Sequence, residues 1–278
     1  MAVPVMVKAA LPMVPGVNLL PGIRKTGGTF DDISRERTGI RIDPAHVARY
    51  ASVCGFETRD ALPLTYLHML AFPLHMDIMT SGAFPYPAIG TVHLRNAIHQ
   101  LRPVTARETV DVTVTATNLR PHPKGKVFDM LATATSAGET VWESTSTYLR
   151  VGKGDESAPT GEAFEVIPGT GTQWRLPGNL GRKYGAVSGD MNPIHLYPIT
   201  AKALGFNRQI AHGMWTKARC VAAIETRLPD DVTVEVEFKK PVFLPGTVAF
   251  GSHVVDTGID FSLTNPKSGA PHVVGRSR

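Results

Sequence analysis

Tyr50-Ala51-Ser52-Val53-Cys54-Gly55-Phe56 returns 134 positions later as Tyr184-Gly185-Ala186-Val187-Ser188-Gly189-Asp190. Leu101-Arg102-Pro103-Val104 returns 138 positions later, counted from Pro103 to Pro241, as Lys239-Lys240-Pro241-Val242. Two landmarks in nearly one register restrict the chain to a diverged duplication, two copies of a single folding unit separated by a net indel of only four residues. The 278 residues suffice for two such units, and 42% hydrophobic content suffices for their cores. The stretch 152–171 gathers Gly, Pro, Ser, Thr and acidic residues without periodicity, so the expected division is a first repeat over 1–155, a linker over 156–172 and a second repeat over 173–278.

Alternation identifies the units as mainly antiparallel sheet. Val110 to Thr117 and Val232 to Phe238 have the period-two, β-branched pattern of half-buried strands. Further strands are expected at Lys126 to Ser136, Thr140 to Val151, Thr247 to Asp256 and His272 to Val274. Two segments have helical spacing instead. They are Phe72 to Ser81, with Pro73 suited to a first helical position, and Gly213 to Arg227, where Met214, Ala218, Val221 and Ala222 can share a face. Each repeat is thus expected to hold one main helix and several strands, an α+β unit.

Composition narrows the function. A net charge of +5 spread along the chain, with no basic tract, argues against a nucleic-acid binder. It allows an anionic partner such as a phosphate-bearing thioester or an acidic carrier protein. Cys54 and Cys220 are the only cysteines, too few for a disulfide framework and without a CxxC metal signature, which points to a reducing, cytoplasmic setting. Prolines 4, 12, 15 and 21 interrupt the apolar first segment, and Arg24 and Lys25 follow it, so an extended N-terminal arm is expected in place of a signal peptide. No run approaches the roughly 20 apolar residues that span a membrane.

The chemistry concentrates in Ser188-Gly189-Asp190-Met191-Asn192-Pro193-Ile194-His195. Gly189 permits positive φ and Pro193 keeps Asn192 out of the helical region, so the chain bends and Asp190 can converge with His195. A carboxylate and an imidazole facing each other can hold and polarise one water, with Asn192 to orient a neighbouring carbonyl. Ile210-Ala211-His212-Gly213-Met214 then opens a helix, whose first N–H groups are free to hold a developing oxyanion. Gly213, lacking a side chain, is the expected donor. Asn192, Ala211 and Met214 are the expected substrate contacts. With the 134 offset, the first repeat offers Phe56, Thr58 and Ala61 at the positions of Asp190, Asn192 and His195, none of which shuttles protons at neutral pH. The second repeat would then react, and the first would shape an apolar pocket.

Tyr184, the Ser188 to His195 motif, Ala201, Gly205-Phe206, Ile210 to Met214 and Phe238-Lys239-Lys240-Pro241-Val242-Phe243 together resemble the MaoC-like (R)-specific enoyl thioester hydratases. The resemblance is strong over the C-terminal part, and the N-terminal half resembles the degenerate first repeat of two-repeat members. It implies a double hot dog, each repeat wrapping an antiparallel sheet around a central helix. It also implies reversible syn hydration of a (2E)-enoyl thioester, on coenzyme A or acyl carrier protein, to the (3R)-3-hydroxyacyl thioester. Asp190 and His195 would be the catalytic pair, Gly213 the oxyanion contact, and no metal or redox cofactor would take part. Some relatives place a serine in the central helix, where Ala218 to Ala222 here has only Arg219 and Cys220 as polar residues. Two repeats can cover each other's sheet within one chain, and the resemblance leaves room for a homodimer.

Competing readings of the same residues exist. A lone Asp190 is most often a turn former, and His212 reads as a structural histidine that fixes the loop before Gly213. Asp190, His195 and His212 form a known metal-ligand set, but HExxH spacing is missing and His68, His75, His93 and His99 lie in the other repeat, so no metal is expected. A hot-dog thioesterase or a non-catalytic acyl-thioester-binding subunit would use the same scaffold. His195 favours hydration over the first, and the intact pair argues against the second.

Overall fold

The first half of the chain runs β1 (Ile33–Arg41), α1 (Pro44–Cys54), α2 (His68–Thr80), β2 (Thr91–Gln100), β3 (Thr109–His122), β4 (Gly125–Ser136) and β5 (Glu139–Val151). The second runs β6 (Thr172–Leu176), α3 (Leu180–Ser188), α4 (Pro193–Leu196), α5 (Pro198–Ala203), α6 (Gly213–Ile224), β7 (Val232–Phe238), β8 (Gly246–Val255), β9 (Gly258–Thr264) and β10 (Pro271–Ser277). The computed structural model describes residues 8, 9, 11, 23–169 and 171–278. The expected N-terminal arm lies almost wholly outside the described residues. No helix among them is long and apolar enough to cross a membrane.

All ten strands join one antiparallel sheet in the order β1-β3-β4-β5-β2-β7-β10-β9-β8-β6. Read outward from the β2–β7 seam, the two halves have the same order, strand for strand. Ala97 pairs with Glu235 across that seam, and these positions differ by 138, the offset of the Pro103 and Pro241 landmarks. A local two-fold axis therefore passes through this pair. The repeats meet edge to edge, so each protects the other's edge strand from unwanted pairing. The architecture is an α+β double hot dog.

The strands form where alternation predicts them. Val110, Val112, Val114 and Ala116 of β3 are fully buried while Asp111, Thr113 and Thr115 between them are not. The linker, 152–171, carries no strand or helix among its described residues. The first-half helix starts earlier than its spacing predicts, at His68, so Pro73 lies inside it instead of at its start. The Pro73 ring lies on the exposed side of the helix, where it displaces no core side chain. Helix α6 ends at Ile224 and a single 3-10 turn, Glu225–Arg227, completes the expected segment. Met214, Ala218 and Val221 are buried as predicted, while Ala222 is half-buried.

Lys217 fixes α6 to the seam. Its ammonium, fully buried, donates to the Asn96 carbonyl (3.1 Å), Asn96 Oδ1 (2.6 Å) and the Val234 carbonyl (2.8 Å), which uses all three donors. Asn96 in turn donates to Ser144 and Ser146, both at 3.0 Å. A buried ammonium without these acceptors would be strongly destabilising. One polar knot thus locks a helix of the second repeat to strands of both.

The duplication is visible in the helix ends as well. Gly55 closes α1 with φ 81° and its N–H on the Ala51 carbonyl, and Gly189 closes α3 with φ 74° and its N–H on the Gly185 carbonyl. Beyond these caps the copies diverge. Ala61 bridges Thr105 as Ile210 bridges Phe243, and the Leu62 N–H binds the Val104 carbonyl as the Ala211 N–H binds that of Val242. Ala61 is therefore the counterpart of Ile210, not of His195. Five residues separate Gly55 from Ala61 where twenty separate Gly189 from Ile210. Residues 190–209 are about fifteen longer than the matching stretch of the first repeat. The 134 offset therefore holds up to the Gly55 and Gly189 caps and not as far as Ala61.

Candidate active site

Three side-chain bonds, each reaching the N–H two residues ahead, shape this longer loop. Ser188 Oγ accepts from the Asp190 N–H (3.1 Å), Asp190 Oδ1 from the Asn192 N–H (3.1 Å) and Asn192 Oδ1 from the Ile194 N–H (3.3 Å). Asn192 is thereby the cap of α4, with Pro193 at its first position and His195 in its only turn. These bonds carry the chain from the end of α3 to His195 without a hydrophobic core of its own.

Two glycines four apart on α3 let this loop lie against the helix. A Cβ on Gly181 would overlap the His195 carbonyl oxygen, and one on Gly185 would come within 2.9 Å of the Asp190 carbonyl oxygen. Gly181→Ala forces either the helix or the loop to move, an overpacking change that typically costs about 1–3 kcal/mol. For a chain of this size the melting temperature is expected to fall by roughly 2–4 °C per kcal/mol, measurable by calorimetry. An unchanged melting temperature would contradict the close approach.

His195 is 7% exposed and donates from Nδ1 to the Ile210 carbonyl at 2.8 Å, which leaves Nε2 as an acceptor. Burial lowers its pKa below the usual histidine value, against the raising effects of Asp190 and the Ile210 carbonyl. The imidazole is therefore neutral at physiological pH, a base with one free lone pair. Asp190 keeps 26% side-chain exposure and opens to the same space. Gly213 begins α6, so no carbonyl of that helix can accept its N–H. Phe238 covers it, and an added Cβ would approach that ring to 3.2 Å.

All six predicted residues, Asp190, Asn192, His195, Ala211, Gly213 and Met214, line one cavity of about 400 Å³. The first repeat closes its other part with Met69, Phe72, Met76 and Met79 of α2 and with Ile89 and Val92. The cavity thus joins a polar end to an apolar one.

Similarity to known proteins follows the same division. A family model described as MaoC like domain matches residues 179–270, the second repeat. Over 272 residues the chain is 38% identical to 3-hydroxyacyl-thioester dehydratase X of Mycobacterium tuberculosis, with 97% of this chain and 94% of that protein covered. The chain belongs to the MaoC-like dehydratase family. The crystal structure of HtdX from Mycobacterium tuberculosis matches it with a TM-score of 0.79 at 37% identity, covering 88% of this chain and 99% of that one. A MaoC-like dehydratase from Phytophthora capsici shares the fold, with a TM-score of 0.69 at 18% identity over 89% of this chain and 94% of that one.

In this MaoC-like site the structure adds residues that sequence reasoning left out. His212 does more than fix a loop. Its ring stacks on that of His195 with centroids 3.7 Å apart, and its Nε2 donates to the Asp190 carbonyl at 2.9 Å. Burial holds it uncharged, with a pKa of about 3, and the adjacent His195 acts in the same direction. Tyr184 packs on its far side at 4.9 Å. The signal was its place directly before Gly213. Thr216, one turn into α6, lines the cavity and donates to the Gly213 carbonyl at 2.6 Å. This hydroxyl lies before the Ala218 to Ala222 stretch where a polar residue was sought.

Ligand atoms of Asp190, His195 and His212 lie within 4.8 Å of one another, close enough for a cation to engage all three. Such an ion would occupy the one free lone pair of His195. The histidines of the first repeat are not remote either. His68 and His93 line the same cavity, so their place in the other repeat by sequence says nothing about their distance from the site.

Proposed function

We propose that this chain catalyses reversible hydration and dehydration at the α,β-position of acyl thioesters, forming a (3R)-3-hydroxyacyl thioester from a (2E)-enoyl thioester. The observation that carries this reading is the neutral His195, its Nε2 free, facing Asp190 at the polar end of a cavity whose other end is apolar. The mycobacterial relative, named a 3-hydroxyacyl-thioester dehydratase, supports the same class of reaction.

In hydration, one water lies between Asp190 and His195. Its oxygen bonds to the β-carbon while the pair takes one of its protons, and a proton from the pair is delivered to the α-carbon on the same face. The electron pair of the double bond moves toward the thioester carbonyl as the new bond forms, and negative charge builds on its oxygen. The Gly213 N–H, at the positive end of α6, stabilises that charge without reorganisation, a contribution typically worth about 2.7–4 kcal/mol for one donor. His212 and Tyr184 keep the imidazole plane fixed. The apolar end, built by α2 of the first repeat, receives the acyl tail.

The test is incubation with a series of (2E)-enoyl-CoA thioesters, following loss of the conjugated absorbance and resolving the product on a chiral column. The expected product is the 3R alcohol with the thioester intact. Free thiol without loss of the double bond would identify a thioesterase instead, and binding without any reaction would identify a non-catalytic thioester-binding subunit.

A further inference from the structure

Three imidazoles of the first repeat lie beside the cavity without a full set of partners, those of His68 and His75 buried and that of His93 half-buried. His68 and His75 lie two turns apart on α2, and their rings meet edge to face at 5.4 Å. His93 on β2 stacks on Tyr148 at 4.4 Å, and His75 Nδ1 meets the Tyr148 hydroxyl at 3.4 Å. His68 Nδ1, His75 Nε2 and His93 Nε2 find no hydrogen-bond partner among the described residues. Buried polar atoms are almost always bonded, so three orphans in one cluster point to a partner that the chain itself does not supply.

Their position says where that partner enters. His68, His93 and Tyr148 line the cavity. His93 packs on Phe238 at 4.9 Å, the ring that covers Gly213, while His68 belongs to the helix that contributes Met76 and Met79. The cluster therefore borders both the reacting end and the apolar end. A purely hydrocarbon chain would pass it and leave every orphan unsatisfied.

We propose that His68, His93 and Tyr148, backed by His75, form a specificity subsite for an acyl chain that carries a hydroxyl group beyond the β-carbon. This rests on the assignment of an acyl thioester to the cavity. Burial keeps the imidazoles uncharged, with His75 and His93 at about 3 and His68 well below its usual value. A carboxylate would gain no counter-charge from them. A hydroxyl both donates and accepts, so it satisfies an imidazole nitrogen in either tautomer.

Calorimetric titration of the full chain with saturated acyl-CoA pairs of equal length, one plain and one with a hydroxyl walked along the tail, reads this preference without turnover. At one position the hydroxyl is expected to tighten binding at least tenfold. His68→Phe and His93→Phe, which keep an aromatic ring, and Tyr148→Phe, which removes only an oxygen, are expected to bring that ratio close to one. If no hydroxyl position binds more tightly than the plain chain, or the preference survives all three substitutions, the subsite is wrong. Because affinity is measured on unreactive ligands, a hydroxyl preference without enoyl hydration would sustain the subsite and sink the catalytic reading. Hydration without a preference would do the reverse.

Discussion

Asp190→Asn and His195→Gln are each expected to lower kcat by about 10³-fold while the protein keeps its fold, since a positioned acid or base usually contributes about 10²- to 10⁴-fold. Both replacements preserve the local scaffold. An asparagine at 190 retains an Oδ1 for the Asn192 N–H, the bond that shapes the loop. A glutamine at 195 can still donate toward the Ile210 carbonyl, as His195 Nδ1 does now. What each removes is the ability to exchange a proton near neutral pH. Circular dichroism and melting temperature establish that the variant is folded, and steady-state hydration of a (2E)-enoyl-CoA gives the rate. Combined, the two substitutions are expected to cost little more than either alone, because the residues act on one water as a unit. Wild-type turnover in both single variants would remove the pair from the mechanism.

The site was legible because its chemistry is local. Asp190, Asn192 and His195 lie within six residues and Ala211, Gly213 and Met214 within four, so short-range spacing was enough to bring each trio together. His93, Tyr148 and His68 reach the same cavity from β2, β5 and α2, and only long-range packing, through the β2–β7 seam and through α1 and α2 against α3, brings that half of the chain near Asp190. No periodicity reports such a contact. Gly181 and Gly185 carry a local signal, two glycines four apart on one helix face, but its meaning depends on the longer loop that packs there.

The fold was legible where buried and wet residues alternate, and not in the edge strands β1 and β6, which bury too few residues to show a pattern. Val232–Phe238 was predicted with its observed bounds, and β3, β4 and β5 within a few residues. β2 escaped because it lies at the centre of the sheet, where Arg95 is held by Glu237 across the seam and Asn96 by Ser144 of β5 and Lys217 of α6, and the apolar alternation is lost. β9, with five of its seven residues buried, lacks the polar phase of the pattern for the same reason. The duplication was read correctly from its two landmarks, but the difference in length was not. An extra stretch in the second repeat before Ile210 is nearly balanced by a longer first repeat between Leu62 and Val104, leaving the net four residues that the landmarks report. The Gly55 and Gly189 caps mark where the copies part, and Asp190, Asn192 and His195 all lie beyond that point in the longer copy.

Acid is expected to unfold this protein well above the carboxylate range. His68, His75 and His212 are neutral and buried in the native state and His93 is neutral and half-buried, with pKa values of about 3 for His75, His93 and His212 and a strongly lowered value for His68. In the unfolded chain each titrates near its ordinary value of about 6.5. Above that pH both states are neutral and the histidines cost nothing. As the pH falls below it, the unfolded chain binds protons that the native state refuses, so native stability is lost progressively from about 6.5 downward toward 3. Each histidine then removes about 1.4 kcal/mol per pH unit, so at pH 5 four of them together cost on the order of 8 kcal/mol, comparable with the whole stability of a typical domain. The faces around them offer little compensation. Lys217 and the neighbouring imidazoles oppose protonation of His68 and His93, and only Asp190 with its carbonyl favours it at His212. Equilibrium denaturation in urea at pH values from 8 to 4.5 should give midpoints that are flat above about 6.5 and drop steeply below 6. Replacing His75, which lies behind the cavity wall, with phenylalanine should make that drop shallower by about one proton. Midpoints that stay flat down to pH 4.5 would mean that these imidazoles are hydrated or charged in solution, and the unpartnered cluster beside the cavity would lose its physical basis.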